Sequence, residues 1–189
     1  MKKLSLCIAS AALLVTSVSS QAKTFLSLDL GNADKQQITK LLDLAKASYD
    51  TNFGYKGYVD LPMYKVNHYQ AFNKHGSVDE AWLHFSPSQK LYKFSVTYAD
   101  AGSLFKRFKD ALTTKYRLVS NNGFGFKKKL TFQDDDVKIY LERNEFGFGN
   151  DQKTTLLYEY TPLLGEVETM KVRIEQAIRK KNAQQAGDL

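Results

Sequence analysis

Lys90-Leu91-Tyr92-Lys93-Phe94-Ser95-Val96-Thr97-Tyr98 is the stretch that decides the fold. Tyr92, Phe94, Val96 and Tyr98 are aromatic or β-branched, and Lys93, Ser95 and Thr97 between them are polar. Side chains of a strand alternate between the two faces of a sheet. The pattern therefore predicts a strand with one dry and one wet side, as antiparallel sheets have. Upstream, Ser86-Pro87-Ser88-Gln89 is a tight turn, and residues 79–85 read as a partner strand. Ala81, Leu83 and Phe85 lie on one face of it, Trp82 and His84 on the other. Downstream, Asp100 is placed to cap a helix over about 101–116, whose apolar stripe is Leu104, Phe105, Phe108, Leu112 and Tyr116.

The same grammar extends toward both ends. Residues 25–30 predict a short strand, broken by Gly31-Asn32. A helix follows over about 33–49, capped by Asn32 or Asp34, with Ile38, Leu41, Leu42, Ala45 and Tyr49 as its stripe. The glycine- and tyrosine-rich residues 51–62 read as a loop, 63–72 as a strand and 73–77 as a turn. Beyond the second helix, 121–126 read as a glycine-phenylalanine loop. Strands follow at 128–132, 137–143 and 154–161, with a turn at 133–136 and a long loop at 144–152. A closing helix over about 163–181 carries Leu164, Val167, Met170, Ile174 and Ile178 on one side. Glu166 and Glu168 near its start and Arg179, Lys180 and Lys181 near its end suit the helix dipole. Residues 183–189 are expected to fray. The order strand, helix, strand, strand recurs, suggesting two divergent halves. The expected architecture is α+β: a curved antiparallel sheet with helices packed on one face.

The first 22 residues supply an address. Met1-Lys2-Lys3 is cationic, residues 4–18 are an uncharged apolar run, and Ser19-Ser20-Gln21-Ala22 are small or polar. That is the layout of a secretory signal peptide cut before Lys23, leaving 23–189 as a single domain. The run is short of the ~20 apolar residues of a membrane span. The one cysteine, Cys7, lies inside it, so thiol chemistry, disulfides and a cysteine-borne lipid anchor are not expected afterwards. The chain has 27 basic residues, of which Lys2 and Lys3 lie in this segment, against 20 acidic ones, so residues 23–189 carry +5. Export makes nucleic acid a poor partner, and a moderate positive charge suits an anionic one. The expected location is the Gram-negative periplasm, with extracellular release as the alternative.

Candidate chemistry is sparse. His68, His75 and His84 lack the close spacing of zinc ligands, although His68 and His84 on adjacent strands, with Glu80 nearby, are a conceivable cluster. Asp134-Asp135-Asp136 lacks the alternating ligands, glycine and distal glutamate of a calcium loop, and reads as a turn. No Gly-x-Ser-x-Gly elbow is present, and no glycine pattern suits a phosphate loop. No metal or cofactor is expected. Asp79, Glu80, Glu142, Glu145 and Glu159 supply carboxylates that a hydrolase would need as a facing pair. The tyrosines from Tyr49 to Tyr69, with Phe53, form an aromatic run suited either to a recognition face or to packing beneath the first helix.

The most unusual local feature is Gly123-Phe124-Gly125-Phe126, followed by Lys127-Lys128-Lys129, together with Phe146-Gly147-Phe148-Gly149. Phenylalanines flanked by glycines are hard to bury and easy to present. The bland alternative folds the rings back over the edge of the core. The expectation is an exported binding protein. Phe124, Phe126, Phe146, Phe148, Lys127, Lys128 and Lys129, with the open face of the sheet, would contact an envelope protein or an anionic lipid or glycan. The alternatives are an envelope-polymer hydrolase and a small lipid carrier with an apolar cavity between helix and sheet.

Overall fold

A computed structural model describes residues 23–55 and 57–187. The signal-peptide expectation falls on residues 1–22, outside the described residues. The described residues begin with a hairpin of β1 (Lys23–Phe25) and β2 (Leu28–Leu30). Leu26 and Ser27 both take positive φ at its turn, the backbone of a two-residue hairpin that follows the twist of its strands. Then come α1 (Lys35–Leu44), β3 (Ser48–Tyr55), β4 (Tyr58–His68), the single turn α2 (Gln70–Asn73), β5 (Val78–Phe85) and β6 (Leu91–Ala99). The second half runs α3 (Leu104–Lys115), β7 (Arg117–Phe124), β8 (Lys127–Asp134), β9 (Val137–Asn144), β10 (Lys153–Tyr160) and α4 (Leu164–Gly187).

The class is the expected one, α+β on an antiparallel sheet. Eight strands lie in the order β3-β4-β5-β6-β10-β9-β8-β7. The central β6–β10 pair joins the last strands of two helix-plus-four-strand units: α1 with β3 to β6, and α3 with β7 to β10. These units differ from the expected strand, helix, strand, strand halves: β6, expected to open the second half, closes the first. The core face carries Tyr64 and Val66, Leu83 and Phe85, Phe94 and Val96, Leu156 and Tyr158, Ile139 and Leu141, and Leu130 and Phe132. Ile38 and Leu42 from α1, Phe72 from α2, Leu104, Phe108 and Leu112 from α3, and Phe25, Leu28 and Leu30 from the hairpin pack onto it. The helix α1 starts where Asp34 and Gln37 form a reciprocal capping box, each bond 2.8 Å.

Four departures from the sequence expectation have physical reasons. The helix α1 ends at Leu44 because Lys46 turns to φ 53°, so Tyr49 sits on β3 and stacks on Tyr64 at 5.7 Å. The expected loop at 51–62 is a hairpin, since Tyr and Phe favour pleated backbone and Gly57, at φ 81°, takes the left-handed turn. The expected loop at 121–126 is mostly β7. Only Gly125 and Phe126 turn, with Gly125 at φ 58° in the first central position. Finally, a register shift between His84 and Phe85 makes Tyr92 a bulge residue, which leaves the core face for the reverse one.

That bulge prepares a seat for the closing helix. Tyr92 and Leu61, on the reverse face, pack against Val167 and Ile174 of α4, with Leu164, Met170 and Ile178 beside them. Ser88 donates to Glu166 at 2.6 Å and Tyr55 to Glu175 at 2.7 Å, fixing the helix at both ends of the contact. The stripe on α4 is thus used by the chain's own sheet. The expected architecture has helices on one face only; α1 and α3 do cover one face, but α4 covers part of the other, because Leu61 and the bulged Tyr92 give that face an apolar seat. Among the described residues no helix is long and apolar enough to cross a membrane.

Phe94 sits at the centre of the core, fully buried and stacked 4.8 Å from Tyr158 and 6.2 Å from Phe72. Replacing it with alanine removes the transfer energy of a ring and leaves a cavity. Phe94→Ala is expected to lower stability by about 3–5 kcal/mol, read as a fall in the urea midpoint with little change in m-value.

Candidate functional site

At one end of the sheet two loops meet: the β7–β8 turn and residues 145–152 between β9 and β10. The reason lies in one inward-facing charge. Val137, Ile139, Leu141 and Arg143 occupy the core side of β9. Arg143 has a side chain only 7% exposed and needs a buried partner. Its Nη1 donates to Asp100 Oδ2 at 2.6 Å, its Nη2 to Gln152 Oε1 at 2.8 Å and its Nε to Glu145 Oε1 at 3.0 Å. Asp100, with a side chain 2% exposed, also accepts from Thr154 Oγ1 at 2.6 Å and from the amides of Gly102, Leu104 and Phe105. One carboxylate therefore caps α3, anchors β10 and neutralises Arg143.

Burial alone would raise the Asp100 carboxyl. The hydrogen bonds from Thr154 and from the three amides win, holding it down at about 2. Gln152 passes the order on: its amide nitrogen donates to the carbonyls of Gly147 at 3.3 Å and Glu145 at 3.4 Å. The Glu145 amide donates to the Phe126 carbonyl at 2.8 Å, joining the two loops. Lys128 reaches Glu145 at 2.6 Å and holds that carboxyl below its ordinary range, against a smaller opposing effect of burial. Gly147, at φ 93°, is needed where it stands, because a Cβ there would lie 2.6 Å from that of Asp151.

On this framework the four phenylalanines point outward. Phe124 is 94% exposed, Phe126 65%, Phe146 73% and Phe148 91%. They do not fold back over the core. Phe126 and Phe146, from different loops, meet edge to face at 6.5 Å. The three lysines share the same end of the sheet but differ in company. Lys128 pairs with Glu145, Lys129 with Glu142 at 2.6 Å while lying 4.7 Å over the Tyr140 ring, and Lys127 is exposed. A depression of about 390 Å³ beside them takes in Lys127, Lys129, Asn144, Lys153 and Thr155. The reverse face beyond α4 presents half-buried Trp82, Ser95, Thr97 and Thr155, with Thr97 and Thr155 hydroxyls 2.9 Å apart. Phe53 meets the Trp82 ring edge-on at 5.0 Å.

Most of the other candidates are engaged in structure, while His68 on β4 and Glu80 on β5 are exposed. Register places Met63, not His68, opposite His84. Burial, with Lys93 and Lys171 adding to it, pushes His84 down to about 3 and keeps it neutral. His75 packs edge-on against Phe108 at 5.9 Å, and burial lowers it too. Among the described residues no group of three or more His, Cys, Asp or Glu is placed to hold a metal. Asp135, at φ 46°, and Asp136, whose carbonyl accepts from the Thr161 amide, form a turn. Of the carboxylates a hydrolase would need, Glu142 and Glu145 are in ion pairs, Asp79 pairs with Lys153 at 3.1 Å, and Glu159 accepts from Tyr140 at 3.4 Å. The tyrosine run is divided: Tyr64 and Tyr69 enter the core, Tyr55 joins α4, and Tyr49 donates to Asp43, which pushes its hydroxyl up to about 12. An open groove of about 910 Å³ beside α1 is lined largely by polar side chains such as Asp34, Lys40, Asp43 and Lys90.

No family model matches the chain, and no curated protein or solved structure does either.

The hub makes two outcomes measurable. Asp100→Ala strands a buried guanidinium and uncaps α3, and is expected to lower stability by about 3–5 kcal/mol. Because the folded-state carboxyl sits below its unfolded value, its contribution is complete above about pH 4 and fades as pH falls toward 2. The shift corresponds to about 2 kcal/mol. Urea midpoints taken between pH 2 and 7 should therefore converge for wild type and Asp100→Asn at the acid end and separate above it.

Proposed function

We propose that this chain is an exported binding protein of the Gram-negative periplasm, and that it engages its partner through the phenylalanine-tipped end of the sheet. The observation that carries this reading is the exposure of Phe124, Phe126, Phe146 and Phe148 on loops tied to a buried ion-pair network. Rings held out by an ordered framework lose little further freedom on binding, so more of their burial energy appears as affinity. Burying each contributes about 1.5–3 kcal/mol. Phenylalanine lacks the polar handle of Tyr or Trp, which favours an apolar receptacle over a stacked sugar. Lys127 and its neighbours favour an anionic one and speed approach to it.

The partner that fits best is an anionic lipid surface, into whose boundary between headgroup and chain the tip would insert. An envelope protein with an acid-rimmed apolar groove satisfies the same chemistry.

The test uses vesicles containing phosphatidylglycerol and vesicles of phosphatidylcholine alone, with wild type and a Phe124→Ala, Phe126→Ala, Phe148→Ala variant. Wild type is expected to float with the anionic vesicles, less so as salt rises, and each ring removed should weaken binding about tenfold, equivalent to about 1.4 kcal/mol. If the triple variant binds as wild type does, the tip is not the contact. If wild type ignores both vesicles but retains an envelope protein through the same rings, the lipid half of the reading fails and the tip survives.

A further inference from the structure

Sheet register lines up a row of residues beside the tip. Lys153 on β10 pairs with Asn144 on β9, Asn144 with Lys127 on β8, and Lys127 with Phe124 on β7. Residues directly opposite one another in an antiparallel pair point to the same face. The row Lys153, Asn144, Lys127, Phe124 therefore crosses the reverse face, away from the core side that holds Arg143. Successive members stand one strand spacing apart, about 4.8 Å, so the two lysine stems start within about 10 Å of each other, with Asn144 between them. Lys153, Asn144 and Lys127 border the depression of about 390 Å³. The exposed Phe124 ring closes the row.

The row is rich in donors that the fold does not use up. Lys128 and Lys129 are taken by Glu145 and Glu142, whereas Lys127 is exposed and has no ion pair among the described residues. Asn144 accepts the Phe146 amide on its Oδ1 at 3.1 Å, which leaves its NH2 group, with two donors, to the depression. Lys153 reaches Asp79 at 3.1 Å, but that carboxylate is 47% exposed. An ion pair so open to water is weak, and the ammonium keeps two further N–H donors. Glu142 lies one row further in, opposite Thr155, with its charge met by Lys129 at 2.6 Å. An anion over Asn144 would thus sit between two cations. Donors rising from three strands suit an anion with three free oxygens. A carboxylate, flat and two-pronged, pairs best with a guanidinium fork, and Arg143 is turned into the core. A phosphate monoester has three such oxygens and close to two charges at neutral pH.

We infer that Lys127, Asn144 and Lys153 form a phosphate-monoester site, and that its ligand is a lipid whose headgroup ends in that phosphate, with its apolar part meeting the neighbouring Phe124 ring. This names the headgroup for the lipid-binding tip and rests on that reading. With the rings in the boundary between headgroup and chain, the row lies at headgroup level. A diester lipid such as phosphatidylglycerol presents two free oxygens and one charge. It satisfies the rings and the general attraction but fills the row only in part. Lysine charge draws both lipids, whereas the donors of the row tell them apart.

The test uses the full chain and vesicles of equal surface charge, made with phosphatidic acid or with phosphatidylglycerol in phosphatidylcholine. Wild type is expected to bind the monoester vesicles about tenfold more tightly. Asn144→Asp keeps the acceptor for the Phe146 amide and turns the donor into an anion, while Lys127→Gln removes the unpaired cation. Each should abolish the preference. Lys40→Gln, an equal loss of charge at an exposed position of α1, should keep it. Methyl phosphate, titrated without vesicles and followed by amide chemical shifts, separates the lipid from a free phosphate. It should move residues 127, 144 and 153 only weakly, because it lacks the apolar part. Equal binding to both lipids, with the rings still required, overturns the phosphate site and leaves the tip reading standing. A preference that survives both row variants overturns the site as well. Failure to bind any vesicle defeats the tip reading and the lipid ligand with it; shifts at the row with methyl phosphate would then leave a soluble phosphate as the ligand.

Discussion

The buried pair between Arg143 and Asp100 is the constraint on which the rest of this structure depends. It joins the end of β6, the start of α3, the end of β9 and, through Thr154, the start of β10. Burying two charges is unfavourable unless their remaining donors and acceptors are satisfied. Here Arg143 donates to three side chains and Asp100 accepts from two side chains and three amides. Hydrophobic burial does not choose between nearby registers of a loop. A satisfied polar network does, because a slip would leave a charge without partners.

The consequence reaches the surface through Gln152 and Glu145. Each uses one group to bind Arg143 and another to fix a loop backbone, so the order at the buried pair is transmitted to the segments carrying Phe126, Phe146 and Phe148. Four exposed rings on slack loops would be a solubility problem. On loops held by this network they are a preorganised tip. The exposed β7 is the other unguarded surface of the same half. Its counterpart in the first half, β3, is protected by irregular pairing, so the two halves share a plan and differ in what they leave open.

Much of the fold is legible because alternation and helical spacing are strong signals where a sheet has one dry face. β5, β6 and β9, the helix stripes and the Asp100 cap are all readable in this way, whereas the face that α4 covers is not. Glycine misleads in two places. At residues 51–62 and 121–126 it suggests loops. The aromatics of the first segment (Phe53, Tyr55 and Tyr58) and the Asn121-Asn122 pair of the second instead belong to strands that merely turn at Gly57 and Gly125. Alternation alone puts Tyr92 on the wrong face, because a bulge shifts the pattern by one residue and a bulge depends on the partner strand. The phenylalanine tip is visible in composition, but its exposure depends on tertiary packing and is not. The ion-pair hub leaves one trace that is easily overlooked. An arginine holds the fourth inward position of Val137-x-Ile139-x-Leu141-x-Arg143, where a buried acid has to be waiting.

The central claim is that the tip, and not the surface at large, enters the partner. An environment-sensitive fluorophore on a single cysteine tests it most directly, placed at position 148 by Phe148→Cys or, as a control, at 44 by Leu44→Cys, each in a Cys7→Ser background. Both positions are solvent-exposed, at 91% and 76%. On adding phosphatidylglycerol vesicles the account predicts a blue shift from the label at 148 and none from the label at 44. A bound protein whose label at 148 stays in water, or whose two labels respond alike, would contradict it.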